Sequence, residues 1–201
     1  MKALLFGGAF NPVTRAHVEL AQLALEKTGR ECVIFLPSQS HYIEKDEQKN
    51  YALSEKQRLY LLKKCQESRP WMKVSHYDLD QESQPRTYQS LQAMKKEGYD
   101  CALLMGDDQF IKMESTWLYG ENIAKEFGIV CLEREKKVLE EVKKHPFLMK
   151  LMPYVQVIVS PGWSRTVSSS QVRFWLQDMD SYKEELEKVL PFSLAVLQEV
   201  L

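Results

Sequence analysis

The sequence predicts an α/β protein in which helices cover both faces of a parallel β-sheet. Short apolar runs of strand length recur along the chain, and segments with the periodicity of amphipathic helices separate them. Runs that are apolar at nearly every position are typical of strands buried on both faces. The alternation of the two patterns indicates βαβ units, and no linker or shift in composition divides the sequence, so we expect one domain over residues 1–201.

Six apolar runs have the length and composition of strands. They are Ala3–Phe6, Cys32–Leu36, Met72–Ser75, Cys101–Met105, Ile129–Leu132 and Val155–Val159. Each contains four or five residues, which lies within the usual range for strands in globular proteins. We therefore expect a sheet of five or six strands.

Four of the intervening segments place their apolar residues at helical spacing. They are Ala16–Lys27, Leu53–Cys65, Thr87–Lys96 and Arg134–Lys144. Gly29 stands where the first of these helices should end, and Ser54 stands where the second should begin. A small helical part over Gln171–Leu201 is expected to complete the fold.

Composition and charge exclude several classes of function. Lys and Arg number 27 against 28 Asp and Glu, so the net charge of −1 favours neither a nucleic acid nor an anionic membrane as partner. The apolar stretch near the N-terminus is too short for a signal peptide, and no segment approaches the ~18 apolar residues of a membrane span. The four cysteines form no C-x-x-C pair. They are typical of buried apolar side chains in a reducing compartment, and we expect a cytoplasmic protein.

The first strand is followed by a sequence suited to binding an anion. Gly7 and Gly8 allow a ligand to approach the backbone, and the helix that follows offers unpaired N–H groups and a positive dipole end. Thr14 and His17 are three residues apart at the start of that helix, so they share one face. A histidine held there can donate a hydrogen bond to a phosphate whose charge grows in a transition state.

The same stretch, Gly7–His17 (GGAFNPVTRAH), resembles the G-x-F-x-P-(H/T)-x-x-H signature of the nucleotidyltransferase superfamily. Within that superfamily the sequence is similar to the nicotinate or nicotinamide mononucleotide adenylyltransferases over nearly its whole length. A second signature of that family, I-S-S-T-x-x-R, is matched by Val167–Arg173 (VSSSQVR). Two signatures in the family's order are more specific than either alone. The resemblance implies a Rossmann-like sheet of the nucleotidyltransferase type.

The two signatures imply a set of residues that bind and activate phosphates. The resemblance assigns catalysis to Thr14, His17 and Arg173. It assigns ATP and phosphate binding to Gly7, Gly8, Ala9, Phe10, Lys45, Ser168, Ser169 and Ser170. Serines at a helix start can cap it or donate to phosphate oxygens, and an arginine one turn later can bind the same oxygens with two N–H groups.

The resemblance also implies residues for the ribose and pyridine groups, namely Thr87, Gly106, Asp108, Trp117 and Arg134. Gly106 and Asp108 match a G-x-D element whose aspartate contacts a ribose hydroxyl. Trp117 matches a tryptophan on which the pyridine ring stacks. Thr87 matches a threonine beside the pyridine substituent, and Arg134 corresponds to an arginine close to the nucleotide.

One segment, Pro37–Ala52, is polar and follows directly on a strand, so it is either a ligand-binding loop or an ordinary surface loop. Its Tyr42–Lys45 stretch resembles a Y-x-x-K variant of the family, which suggests Lys45 as a mobile phosphate-binding side chain. Ala16 and Ser170 stand where many relatives have glycine and threonine. The mixture of features leaves the preferred mononucleotide open.

The implied reaction is transfer of AMP from ATP to nicotinate or nicotinamide mononucleotide, which releases pyrophosphate. Mg²⁺ is expected to be bound by the nucleotide and not by a carboxylate cluster of the protein. Two alternatives remain: a sister adenylyl- or cytidylyltransferase with a pantetheine-phosphate or alcohol-phosphate acceptor, and a nucleotide-binding module without catalysis. ATP and a pyridine mononucleotide are the expected partners, and a homo-oligomer stays open.

Overall fold

The computed structural model describes residues 1–45 and 53–201. Six strands form one parallel sheet with the spatial order β3-β2-β1-β4-β5-β6. They are β1 (Lys2–Gly8), β2 (Cys32–Pro37), β3 (Met72–Val74), β4 (Asp100–Gly106), β5 (Ile129–Glu133) and β6 (Val155–Val159). This order is that of a doubly wound α/β sheet, so the predicted Rossmann-like fold is confirmed.

The inner strands form where the sequence is continuously apolar. Every residue of β2 is buried, and so are the five central residues of β4, Cys101–Met105. Because successive side chains point to opposite faces of a sheet, helices must cover both faces of these strands. All six predicted strands are confirmed, with ends that differ by at most two residues.

Twelve α-helices occur in the part of the chain that the structure describes. They are α1 (Arg15–Thr28), α2 (Ser40–Lys45), α3 (Glu55–Glu67), α4 (Thr87–Lys96), α5 (Asp107–Ile111), α6 (Met113–Thr116), α7 (Gly120–Phe127), α8 (Val138–Val142), α9 (Pro146–Leu151), α10 (Ser169–Trp175), α11 (Lys183–Val189) and α12 (Leu194–Gln198). Short 3₁₀ segments cover Tyr77–Asp80, Met152–Tyr154, Gly162–Thr166 and Leu176–Asp178. The predicted helical part after residue 170 is confirmed.

The expected helix boundaries follow from capping chemistry. Gly29 adopts φ +65°, and its N–H donates to the Leu25 carbonyl at 3.0 Å, which ends α1. Ser54 and Gln57 exchange hydrogen bonds between side chain and backbone in a capping box that begins α3. Both predictions are confirmed.

The prediction of a helix over Arg134–Lys144 is wrong in its first turn. The backbone N–H groups of Arg134, Glu135 and Lys136 donate to the Asp107 carboxylate, so this stretch follows that carboxylate and not a helical path. Helix α8 begins only at Val138, whose N–H donates to Glu133 Oε2 at 2.8 Å. Local periodicity does not reveal this long-range partner.

The prediction that Pro37–Ala52 is a loop is also wrong in part. Its residues Ser40–Lys45 form helix α2. The Ser40 N–H at the start of α2 donates to Glu55 Oε1 at 2.8 Å, so a side chain of α3 satisfies an N–H group at the helix start. Residues 46–52 lie outside the described residues.

The chain divides into two compact units, and each is built from three separate segments. Unit 1 comprises Met1–Phe6, Leu20–Val33 and Arg86–Arg165, and unit 2 comprises Gly7–Glu19, Ile34–Pro85 and Thr166–Leu201. The core of unit 1 contains buried side chains of β4 and α7. The core of unit 2 contains Phe35, Leu61 and Leu62. Each unit therefore has apolar packing of its own.

The four cysteines are buried and form no disulfide, as the sequence predicts. Burial raises the pKa of the Cys65 and Cys101 thiols to about 12, and it raises the pKa of Cys131 as well. These thiols behave as small apolar groups.

Among residues 1–45 and 53–201, no helix combines the length and apolar character needed to cross a bilayer.

Candidate functional site

The turn after β1 belongs to unit 2 and has an unusual backbone. Phe10 adopts φ +44°, in the left-handed region that few non-glycine residues enter. Its ring packs against Phe35, with ring centroids 5.4 Å apart. A Cβ at Gly8 would lie 3.4 Å from the tip of the Phe10 ring, so glycine at that position leaves room for the ring. The packing of the Phe10 ring against Phe35 therefore holds the turn in place.

Buried polar groups hold the same turn from the protein side. Arg58 on α3 is fully buried, and its guanidinium donates to the Ala9 carbonyl at 2.8 Å, the Leu53 carbonyl at 3.1 Å and Ser40 Oγ at 3.1 Å. The side-chain oxygen of buried Asn11 accepts the Leu53 N–H at 2.9 Å. These bonds set the positions of the Ala9 and Asn11 backbone, from which the next residues reach the start of α1.

At the start of α1, Thr14 and His17 contact each other directly. The Thr14 N–H donates to His17 Nδ1 at 3.0 Å, and Thr14 Oγ1 lies 2.8 Å from the same nitrogen. His17 is the third residue of α1, so this is the bond that a glutamate or glutamine makes in a capping box. The side chain of Thr14 is 0% exposed. Thr14 is therefore buried and contacts His17 through both its backbone and its side chain.

The Thr14 N–H also determines the tautomer of His17. A nitrogen that accepts a backbone N–H carries no proton, so Nδ1 is the acceptor and Nε2 carries the ring proton. The Phe10 ring meets the imidazole edge to face, with centroids 5.3 Å apart and planes at 73°. The half-buried imidazole is thus held in one orientation with a donor at Nε2.

The second signature packs on the same turn. Ser169 Oγ donates to the Pro12 carbonyl at 2.8 Å, and Arg173 Nη1 donates to the Asn11 carbonyl at 2.8 Å. Arg173 Nη2 donates to Ser170 Oγ at 3.0 Å, and Ser168 caps α10 by accepting the Gln171 N–H at 3.2 Å. Partial burial lowers the pKa of Arg173 from its usual value, but a guanidinium remains charged at neutral pH. Two signatures separated by most of the chain meet at Asn11 and Pro12.

Unit 1 holds a second group of predicted site residues at the end of β4. Gly106 ends β4 and precedes α5, and the exposed Asp108 lies in the first turn of α5. A Cβ at Gly106 would lie 2.8 Å from Asp108 Oδ1. The carboxylate of Asp108 folds back over the end of the strand, and this position is open only because residue 106 is glycine.

Between them, Asp107 is buried and accepts four backbone N–H groups. Its Oδ1 accepts from Asp108 at 2.9 Å, and its Oδ2 accepts from Arg134 at 2.9 Å and from Glu135 and Lys136 at 2.8 Å each. The Arg134 guanidinium donates to the Ser164 carbonyl. The loop after β5 is therefore tied to the end of β4.

Thr87 and Trp117 lie on elements that an aromatic pair connects within unit 1. Thr87 begins α4 and Trp117 follows α6, and both are half-buried. Tyr88, next to Thr87, and Tyr119, two residues after Trp117, stack with centroids 5.1 Å apart and planes at 27°. Tyr88 also donates to Glu126 at 2.8 Å. The stack fixes the start of α4 relative to the turn after Trp117.

A family model matches most of the chain. The family model described as cytidylyltransferase-like matches residues 5–174, which include the first signature, the G-x-D element and the second signature. The chain belongs to the cytidylyltransferase-like family.

Individual relatives of this cytidylyltransferase-like chain have more specific names. A probable nicotinate-nucleotide adenylyltransferase of Aquifex aeolicus is 31% identical over 144 residues, which cover 71% of this chain and 82% of the relative. A protein of the same name from Neisseria meningitidis is 26% identical over 173 residues, covering 84% of this chain and 85% of the relative. The resemblance drawn from the two signatures is confirmed.

Solved structures of related proteins share the fold. The nicotinic acid mononucleotide adenylyltransferase of Plasmodium falciparum, complexed with NaAD, superimposes with a TM-score of 0.72 at 18% identity, over 98% of this chain and 93% of that one. The same enzyme complexed with APC gives a TM-score of 0.67 at 19% identity, over 98% of this chain and 92% of that one. At such identities the likeness establishes the fold of this cytidylyltransferase-like protein.

Within unit 2, the structure brings several of the predicted site residues into contact. Thr14, His17, Ser169, Ser170 and Arg173 gather on the turn at residues 10–12. A Cβ added at Gly7 would have room, because the nearest atom, the Leu36 carbonyl oxygen, would lie 4.0 Å away. Lys45 ends α2, and its side chain lies outside the described residues, so its role stays a prediction.

The sequence did not identify the residues that support the site. Arg58 stands on the buried stripe of α3 beside Leu61, Leu62 and Cys65, and a charged residue on an otherwise apolar stripe is a signal that could have been noticed. Asn11 and Asp107 carry no such signal. Their partners, Leu53 and Arg134–Lys136, are far away in sequence.

Proposed function

We propose that this protein transfers the AMP moiety of ATP to a pyridine mononucleotide, with nicotinate mononucleotide as the first acceptor to test. The observation that carries the proposal is the meeting of the two signatures in unit 2. There the Nε2 donor of His17 and the guanidinium of Arg173 are both set by the same turn. The names of the relatives from Aquifex and Neisseria support nicotinate as the acceptor.

The phosphates of ATP are bound by three kinds of donor in this proposal. The fourteen-residue helix α1 offers the N–H groups of its first turn and its positive dipole end. His17 adds the Nε2 proton, and Arg173 adds a fixed positive charge with several N–H groups. Thr14 acts through His17 as a positioning residue. Ser169 holds the Pro12 carbonyl and so positions the turn.

The chemical step is an in-line displacement at the α-phosphorus of ATP. A phosphate oxygen of the mononucleotide forms the new bond, and the bond between the α-phosphorus and the oxygen that bridges to the β-phosphate breaks. The electron pair leaves with pyrophosphate, and no covalent bond to the protein forms. His17 and Arg173 stabilise the charge that develops on the phosphoryl oxygens, which is the main task of a protein in such a reaction.

A divalent cation fits this chemistry as part of the nucleotide. The described residues contain no group of three or more His, Cys, Asp or Glu side chains that could hold a metal ion. The side chains on the turn at residues 10–12 are donors and a cation, which suit phosphate oxygens better than Mg²⁺. Mg²⁺ bound to ATP would neutralise part of the phosphate charge, while this chain supplies the donors around it.

Pyrophosphate release tests the proposal directly. Purified protein is incubated with ATP and Mg²⁺ together with nicotinate mononucleotide, nicotinamide mononucleotide, 4′-phosphopantetheine or no acceptor, and the products are weighed by mass spectrometry. A parallel set with CTP and glycerol 3-phosphate tests the cytidylyl branch. The dinucleotide of nicotinate should form with the highest kcat/KM.

Two variants relate the activity to the site. His17→Ala should lose turnover, whereas Arg15→Ala should keep it, because the exposed Arg15 pairs with Glu19 on the neighbouring turn of α1.

Product from phosphopantetheine or CTP alone would replace the proposed substrate. Binding of ATP by folded protein that yields no product with any acceptor would favour the non-catalytic module.

A further inference from the structure

The carboxylate of Asp107 lies at the centre of a cluster of backbone N–H groups in unit 1. The residue is 2% exposed. Its Oδ2 accepts three successive N–H groups, those of Arg134, Glu135 and Lys136, at 2.8–2.9 Å. Its Oδ1 accepts the N–H of Asp108 at 2.9 Å.

Successive N–H groups that converge on one point form an anion-binding nest. Such nests ordinarily receive a phosphate or another ligand anion. Here an oxygen of the chain's own carboxylate occupies the point of convergence, so the nest is not available to a nucleotide phosphate. Asp107 thus acts as an internal ligand that keeps the loop after β5 in one conformation.

The nest fixes two residues that the family resemblance assigns to nucleotide binding. Arg134 is held at its N–H by Asp107, at its carbonyl by Arg165 Nε and at its guanidinium by the Ser164 carbonyl. Asp108 is held at its N–H by the other carboxylate oxygen of Asp107, next to the space that Gly106 leaves open. One buried carboxylate therefore orients a predicted ribose-binding acid and a predicted nucleotide-binding arginine.

We propose that Asp107 is a positioning residue. Its carboxylate fills the Arg134–Lys136 nest and thereby fixes Asp108 and Arg134, two predicted nucleotide-binding residues. The inference rests on the proposed function and on the roles that the family resemblance implies for Asp108 and Arg134, but the nest itself does not depend on them. Because Asp107 would act before any chemistry, its loss should weaken nucleotide binding more than it slows turnover.

Chemical rescue tests this role. Asp107→Ala removes the carboxylate and leaves space beside the nest, and formate at millimolar concentrations can replace the missing group. We expect the KM for ATP or for the mononucleotide to rise about tenfold in Asp107→Ala with less change in kcat, and formate to restore it. Asp107→Asn fills the space without a charge, so its smaller defect should not respond to formate.

A matched control is Asp78→Ala with formate. Asp78 is another buried carboxylate, in unit 2, and its Oδ2 accepts from Gln84 Nε2 at 2.7 Å. All assays are run well below the melting temperatures of the variants, so that the folded fraction is the same. Asp78→Ala should keep the KM values of the wild type, with and without formate.

The outcomes separate this inference from the proposed function. Unchanged KM values in Asp107→Ala would overturn it, and so would a formate effect on melting temperature alone. If the wild type forms no dinucleotide, the proposed function fails by itself. Calorimetric ATP affinities of the wild type and Asp107→Ala, with and without formate, then test Asp107: a formate-reversible loss supports the role, and equal affinities contradict it.

Discussion

The imidazole of His17 is oriented by a backbone group one turn earlier, and substitutions can test which nitrogen acts. In glutamine the side-chain amide nitrogen reaches about the position of Nε2, whereas in asparagine the amide lies near Nδ1. Because Nδ1 accepts the Thr14 N–H, only a donor at the Nε2 position can serve a phosphate. We expect His17→Ala to lower kcat by roughly 10²-fold, the usual size for one lost transition-state donor. His17→Gln should retain more activity than His17→Asn in steady-state assays, and the reverse order would contradict the assigned tautomer.

Gly106 makes a second test at the scale of one residue. Its φ of −81° suits any amino acid, so alanine brings no backbone strain. The added Cβ would lie 2.8 Å from Asp108 Oδ1 and would push the carboxylate aside. Gly106→Ala should raise the KM for a nucleotide about tenfold, equivalent to about 1.4 kcal/mol of binding free energy, while the melting temperature stays close to that of the wild type. Gly162→Ala is the matched control, because a Cβ there meets nothing within 4 Å. Equal KM values in the two variants would remove the positional role of Gly106.

At the scale of elements, α3 is the support of the turn after β1. Lysine at position 58 has one ammonium group and cannot replace the forked contacts that Arg58 makes with Ala9, Leu53 and Ser40. Buried carbonyls without donors cost about 1–3 kcal/mol each, so Arg58→Lys should lower the free energy of unfolding by about 3 kcal/mol. Urea denaturation measures this loss. The half-buried Arg69 also donates to backbone carbonyls, of Cys65 and Pro191, but water can replace part of these bonds, so Arg69→Lys should lose less than about 1 kcal/mol.

The elements also show which parts of the structure could be predicted from the sequence. The six strands were predicted because a strand buried on both faces must be apolar along its length, as in β2. Helix α4 has the predicted bounds Thr87–Lys96, because amphipathic spacing is a local property. Residues 134–137 could not be predicted, since their conformation depends on a carboxylate that is distant in sequence. Local patterns identify elements, while long-range polar contacts decide where some of them begin.

The same distinction applies to the candidate site. The signatures predicted Thr14, His17 and Arg173, because a motif names the residues that face a ligand. They did not show that Thr14 is buried and faces His17, or that Ser169 donates to Pro12. Arg58 in unit 2 and Asp107 in unit 1 satisfy backbone groups, which no motif records. The sequence therefore predicts which residues face a ligand, and it does not reveal the polar contacts that hold them.

For the molecule as a whole, the buried thiols predict how stability changes in alkaline solution. Burial raises the pKa of Cys65 and Cys101 from 9.0 to about 12. Between these values the unfolded chain has released the thiol protons and the folded chain still holds them. The free energy of unfolding should therefore fall as pH rises from about 9 to about 12, by at most about 1.4 kcal/mol per pH unit for each thiol. Denaturation across this range measures the slope, and Cys65→Ala should make it shallower. An equal slope in that variant would show that Cys65 is not responsible.

The division into two units has a consequence for the order of events during synthesis. Unit 1 uses no residue beyond Arg165, so all of its segments are available once that residue has left the ribosome. Unit 2 needs Thr166–Leu201 as well as Gly7–Glu19 and Ile34–Pro85. Until Ser169 and Arg173 emerge, the Asn11 and Pro12 carbonyls lack these donors. The early segments of unit 2 therefore stay incompletely folded, with part of their apolar surface exposed. A nascent chain stalled at the length at which Arg165 has just left the ribosome should thus protect unit 1 from protease while the turn that carries His17 is still cleaved.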